Sequence, residues 1–63
     1  MDFADKVKYI RKILNITQTA LAQRLNVSFA TVNRWENKAF KPSSLAQKVI
    51  DEFCEKNDIR FKK

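Results

Sequence analysis

The 63-residue sequence contains no glycine and no histidine, one cysteine and one proline. Without glycine it cannot build the phosphate-cradling loop that nucleotide-binding sites use, because such loops need backbone able to approach the ligand closely. With no histidine and a lone cysteine there is no ligand set for a zinc site of the usual kind. Cys54 cannot close an internal disulfide, which fits a reducing compartment. It falls in an apolar helical pattern and reads as a small core or boundary residue, not a reactive thiol. No apolar run approaches the roughly 20 residues of a membrane span, and the N-terminus lacks the apolar stretch of a signal peptide. The expectation is a soluble protein of the cytoplasm with no cofactor, no membrane partner and no small-molecule substrate. Nor is there room for catalysis. A chain this short buries only about 60% of its unfolded surface, and no nucleophile–base pair can be assembled from these residues.

Acidic residues are scarce over most of the chain. From Lys6 to Ile50 there are nine basic residues and one acid, Glu36, whereas Asp51 to Lys63 holds four of each sign. The formal net charge is +6. A basic surface attracts polyanions, because lysine and arginine that neutralise phosphates release condensed counterions. Charge alone does not choose between DNA, RNA and an anionic membrane.

The scarcity of breakers and the wealth of straight-chain residues predict an all-α fold, a compact bundle of four to five short helices in a single domain over 1–63. Asp2 is placed to cap a helix from Phe3 to Leu14, where Phe3, Val7, Ile10 and Leu14 share one face. Asn15 is a stop, since asparagine tolerates the left-handed conformation that ends helices. Thr17 can cap a second helix reaching Leu25, Asn26 repeats the stop, and Ser28 can cap a third from Phe29 to about Asn37. Pro42 makes Lys38–Ser43 a loop. A fourth helix runs from about Ser44 to Glu55 or Lys56. Ser44 and Gln47 have capping-box spacing, and Ser43 is an equal candidate for the cap. Leu45, Val49, Ile50 and Phe53 are its expected buried stripe. For the tail over 57–63, docking and fraying are both open.

The informative unit is Gln18–Asn37, QTALAQRLNVSFATVNRWEN. Two short helices joined by a tight turn and crossing steeply need apolar residues inward on the first (Leu21, Leu25) and a small one at the crossing (Ala22). The turn needs a residue tolerant of positive φ (Asn26) and an apolar residue to close it (Val27). The second helix needs inward apolar residues (Val32, Trp35). All seven positions comply. Trp35, as the closing apolar residue, reads as core and not as a base-stacking platform.

This pattern, with TQTALA at 17–22, VSFATVNRWEN at 27–37 and KPSSLA at 41–46, resembles the phage repressor/Cro type of helix-turn-helix, the XRE family. The resemblance covers roughly Val7 to Phe53 and implies a lambda-repressor-like domain that binds double-stranded DNA. It implies that the third helix enters the major groove with Ser28, Phe29, Ala30, Asn33 and Arg34 facing the bases. Asn33 suits adenine and Arg34 guanine, while Phe29 and Ala30 offer apolar contact to thymine methyl groups. Thr17, Gln18, Thr31, Asn37, Lys38 and Lys41 are the implied phosphate contacts, Gln18 through its helix N-terminus and its side-chain amide. Arg11 and Glu36 match a pair that clamps the first helix to the third. One position departs from the family: Lys38 stands where a glycine usually follows Asn37. Either lysine takes positive φ at a cost of about 1 kcal/mol or the loop adopts another shape.

The leading expectation is a sequence-specific transcription regulator, a repressor that binds a pseudo-palindromic operator as a homodimer, with half-sites about 10 bp apart or a multiple of that. A chain of this length either dimerises weakly on DNA through its C-terminal half or is the N-terminal piece of something longer. The alternative is an interaction module, such as an antitoxin component or the targeting arm of a larger system. Single-stranded RNA is a third option, weakened because most aromatic residues fit core stripes.

Overall fold

The computed structural model describes residues 1–61. Four helices form there and no strand: α1 (Phe3–Leu14), α2 (Gln18–Leu25), α3 (Phe29–Trp35) and α4 (Ser44–Lys56). Each begins on a short polar side chain in extended conformation, whose oxygen accepts a backbone N–H three residues on. The caps are Asp2, Thr17, Ser28 and Ser43. At α4 the two candidate caps resolve to Ser43, whose Oγ accepts from the Ala46 N–H at 3.1 Å.

Three helix ends solve the problem of a chain without glycine in the same way. Asn15, Asn26 and Asp58 take φ of 56°, 60° and 54°. At each, the following N–H reaches back to a carbonyl five residues earlier: Ile16 to Arg11, Val27 to Ala22, Ile59 to Cys54. This is the pairing of a Schellman motif, with the apolar residue after the left-handed one turned inward. Short polar side chains are the non-glycine residues that tolerate this conformation best.

The core is small. Val7, Ile10, Leu21, Val32 and Ile50 are fully buried, each contributing about 1.5–3 kcal/mol relative to exposure. Ala4, Ala22, Trp35, Ala46, Cys54 and Ile59 complete the buried apolar set. Burial pushes the Cys54 thiol up, so it stays protonated and inert at neutral pH.

Two expectations need correction. Leu45 is 71% exposed, and the buried face of α4 is Ala46, Ile50 and Cys54, with Val49 and Phe53 half-buried beside it. The sequence stripe was centred on the larger residues. The helix instead turns its small ones inward on either side of Ile50, where they permit close approach, and Leu45 lies about 100° around from Ala46. The third helix ends at Trp35, two residues before Asn37. Glu36 leaves helical geometry at φ −85°, ψ 0°, and the Asn37 side chain accepts the Ala39 N–H at 2.9 Å, diverting the chain into a turn.

Lys38 is absent from the positive-φ residues, so the loop takes the other shape. The Asn37 carbonyl accepts the Phe40 N–H at 3.0 Å, and Phe40 packs against the core. The tail docks as far as it is described. Ile59 is 8% exposed, and the Phe61 ring lies 5.4 Å from that of Tyr9, with the Lys6 ammonium over the Phe61 ring at 5.5 Å. The last two residues of the 57–63 segment lie outside the described residues.

Candidate nucleic-acid interface

α2 and α3 are joined by a turn that the sequence dictates atom by atom. Asn26 in the left-handed region reverses the chain, and the Val27 N–H closes on the Ala22 carbonyl at 2.9 Å. Ala22 is buried, and its methyl is small enough for two helices to cross closely. Val32 and Trp35 then hold the inner face of α3. Trp35 meets the Phe3 ring edge-on at 5.7 Å, which fixes α3 to α1.

The outer face of α3 is consequently free. Ser28, Phe29, Ala30, Asn33 and Arg34 are all exposed, and Thr31 is half-buried at the margin. Ser28 caps the helix through the Thr31 N–H at 3.1 Å, and the Ser28 and Thr31 hydroxyls bond to each other at 2.9 Å. Among the described residues the side chains of Asn33 and Arg34 have no intramolecular hydrogen bond or ion pair, which leaves an amide and a guanidinium available to a ligand.

Glu36, the lone acid of the basic segment, is only 9% exposed. Arg11 grips it bidentately, Nε to Oε2 at 2.6 Å and Nη2 to Oε1 at 2.9 Å, and the Gln18 Nε2 donates to Oε1 at 3.0 Å. Burial pushes the carboxyl up, but the hydrogen bonds from Arg11 and Gln18 and the Arg11 charge outweigh it, and the net direction is down. The Arg11 guanidinium is pushed up by its hydrogen bonds to Glu36 and by the Glu36 charge. One carboxylate therefore ties α1, the start of α2 and the end of α3 together. Its charge is also withdrawn from the surface, so residues 6–50 present no exposed acid.

That network changes what Gln18 offers. Its amide nitrogen, expected to face outward, is engaged with Glu36, and the α2 N-terminus retains the open N–H groups of Gln18 and Thr19. Thr17 uses its hydroxyl to cap the Ala20 N–H at 3.0 Å. Beyond α3, Asn37, Lys38 and Lys41 are exposed. Lys38 lies 3.7 Å from Asp5 in a solvent-exposed pair. The Gln18–Glu36 bond and the docking of Phe61 on Tyr9 are the contacts that sequence reasoning missed. The first has no local signal. For the second, the repeated pairing of a polar stop with an apolar residue (Asn15–Ile16, Asn26–Val27, Asp58–Ile59) was available as one.

No group of three or more His, Cys, Asp or Glu side chains able to hold a metal ion is present among the described residues. No helix there is long and apolar enough to cross a membrane. A family model described as helix-turn-helix matches residues 7–54. Comparison with curated proteins gives no match, and comparison with solved structures gives none either.

Proposed function

The chain belongs to the helix-turn-helix family of the phage repressor/Cro type, an all-α family of DNA-binding regulators, and on that premise we propose that it is a repressor that binds a pseudo-palindromic operator as a dimer. α3 lies in the major groove. Asn33 addresses adenine N6/N7, and Arg34 addresses guanine O6/N7. The open N–H groups of Gln18 and Thr19 receive a phosphate at the positive end of α2, with Thr17 and Thr31 beside the same strand. Asn37, Lys38 and Lys41 hold the backbone on the far side of α3 and fix the register without reading sequence.

The observation that carries this reading is the outer face of α3. It is exposed, free of acids and equipped with two side chains, Asn33 and Arg34, that have no partner among the described residues and whose chemistry fits base edges. The described residues extend at most 25 Å, less than the roughly 34 Å of one helical turn, so one copy covers no more than one half-site.

Selection from a random pool of duplex DNA, followed by titration of the winner at two salt concentrations, tests the proposal. A palindromic consensus bound well above random duplex is expected. Steeply salt-dependent binding with no consensus would instead leave a basic helical module.

A second reading, an interaction module, is favoured by one observation, the exposed Leu45 on a helix that also presents Asp51, Glu52 and Glu55 to solvent. Deleting 57–63 would not separate the two readings cleanly, because Ile59 belongs to the core. Leu45→Lys is the better probe. Lost capture of a different protein, with self-association and affinity for the full operator unchanged, would favour the second reading.

A further inference from the structure

Seven aromatic side chains are present. Six of them, Phe3, Tyr9, Trp35, Phe40, Phe53 and Phe61, pack in or against the core. Phe29 is the exception. It stands at the first position of α3 with 52% of its surface exposed, and the exposed Ala30 methyl is next to it. No packing role in the described chain accounts for it. Resting on the DNA-binding reading above, we propose that Phe29 and Ala30 form an apolar pad that reads the C5-methyl group of a pyrimidine and not the pyrimidine itself, so that thymine and 5-methylcytosine are accepted alike at one position of the half-site.

The argument comes from what the pad lacks. In the major groove thymine shows an O4 acceptor and a C5-methyl group, whereas cytosine shows an N4 donor and no methyl. A phenyl ring and a methyl group carry neither donor nor acceptor, so they cannot tell O4 from N4. They respond only to apolar surface. A duplex presents base edges to the groove, so the ring meets a methyl group there and has no base face to stack on.

Polar neighbours do not supply the missing discrimination. Ser28 is engaged as the helix cap and with Thr31. Asn33 lies one helical turn on from Phe29, about 6 Å along the axis of α3, so the two side chains do not meet at one point. The base pair under the pad is therefore read by its methyl group, while Asn33 and Arg34 read the pairs beyond it.

The test uses the selected operator duplex and compares substitutions that leave each base pair intact. Each thymine is replaced singly by deoxyuridine, and at the responsive position cytosine is compared with 5-methylcytosine. Loss of one buried methyl group should weaken binding about fourfold. The 5-methylcytosine duplex should regain the same factor over the cytosine duplex. The double variant Phe29→Ser, Ala30→Ser, checked for an unchanged melting temperature, should bind all four duplexes alike. Equal affinity for thymine and deoxyuridine at every position would overturn the pad while leaving DNA reading intact. Methyl dependence that persists in the double variant would assign the methyl to another residue and overturn it too. Failure of the unmodified chain to prefer its selected duplex over random DNA would instead remove the reading on which the pad rests.

Discussion

Glu36 is nearly buried and is reached by Arg11 and Gln18 from two other helices. Glu36→Ala should cost about 2 kcal/mol. That is less than the 3–5 kcal/mol typical of breaking a fully buried pair, because the Arg11 side chain keeps 27% of its surface in water. The carboxyl is held below its ordinary value of 4.5, so the folded state favours the ionised form. Its stabilisation is complete at neutral pH and fades as pH falls below that value and through the depressed folded one. Chemical denaturation at several pH values should show a steeper acid limb for the natural protein than for Glu36→Gln. Equal limbs would remove Glu36 as the source. Asn33 is the contrasting case, exposed and without a partner among the described residues. Asn33→Ala should leave the melting temperature unchanged, lower affinity for the selected duplex by about 1–3 kcal/mol and relax preference at one base pair. An equal loss on random DNA would assign Asn33 to the backbone instead.

The turn between α2 and α3 is the element whose geometry decides function, since it aims the outer face of α3. Ala22 sits at the crossing and is almost wholly buried. Ala22→Leu should overpack it and cost about 1–3 kcal/mol, read as a fall in melting temperature. A normal melting temperature would mean that the helices do not cross there. All seven motif positions were legible in the sequence because each requirement is local: a small residue at a contact, a polar residue at positive φ, an apolar residue where the turn closes. The helix caps were legible for the same reason. The face of α4 was not. Hydropathy ranks Leu45 above Ala46, but the space available between helices ranks them the other way, and no local pattern states how close a neighbour lies.

For the whole molecule, stability is the limiting quantity. At roughly 0.05–0.15 kcal/mol per residue, a chain of 63 residues has little to lose. The docked C-terminal segment then matters. Ile59 is buried in the same core as Val7 and Ile50, and Ile59→Ala should cost about 2 kcal/mol or more. In a domain this small that lowers the melting temperature by about 8 °C or more. A change of a degree or less would show that the segment is not part of the cooperative unit. The distribution of charge also belongs to this scale. With Glu36 internal, the exposed charges of residues 6–50 are all basic, while Asp51, Glu52 and Glu55 are exposed on α4.

The sequence by itself determined where the helices start and where α1, α2 and α4 stop, which residues form the helix-turn-helix, and which side of α3 is left outward. Those features depend on neighbours within about four residues; the chain has no glycine to blur them, and its one proline lies in the loop between α3 and α4. Tertiary structure alone decided which face of α4 is buried, that the tail docks through Ile59 and Phe61, and that Gln18 turns its amide toward Glu36. Each of these depends on the distance between groups 18 to 52 residues apart in the chain. Periodicity carries no information about such distances; the packing of one helix against another sets them.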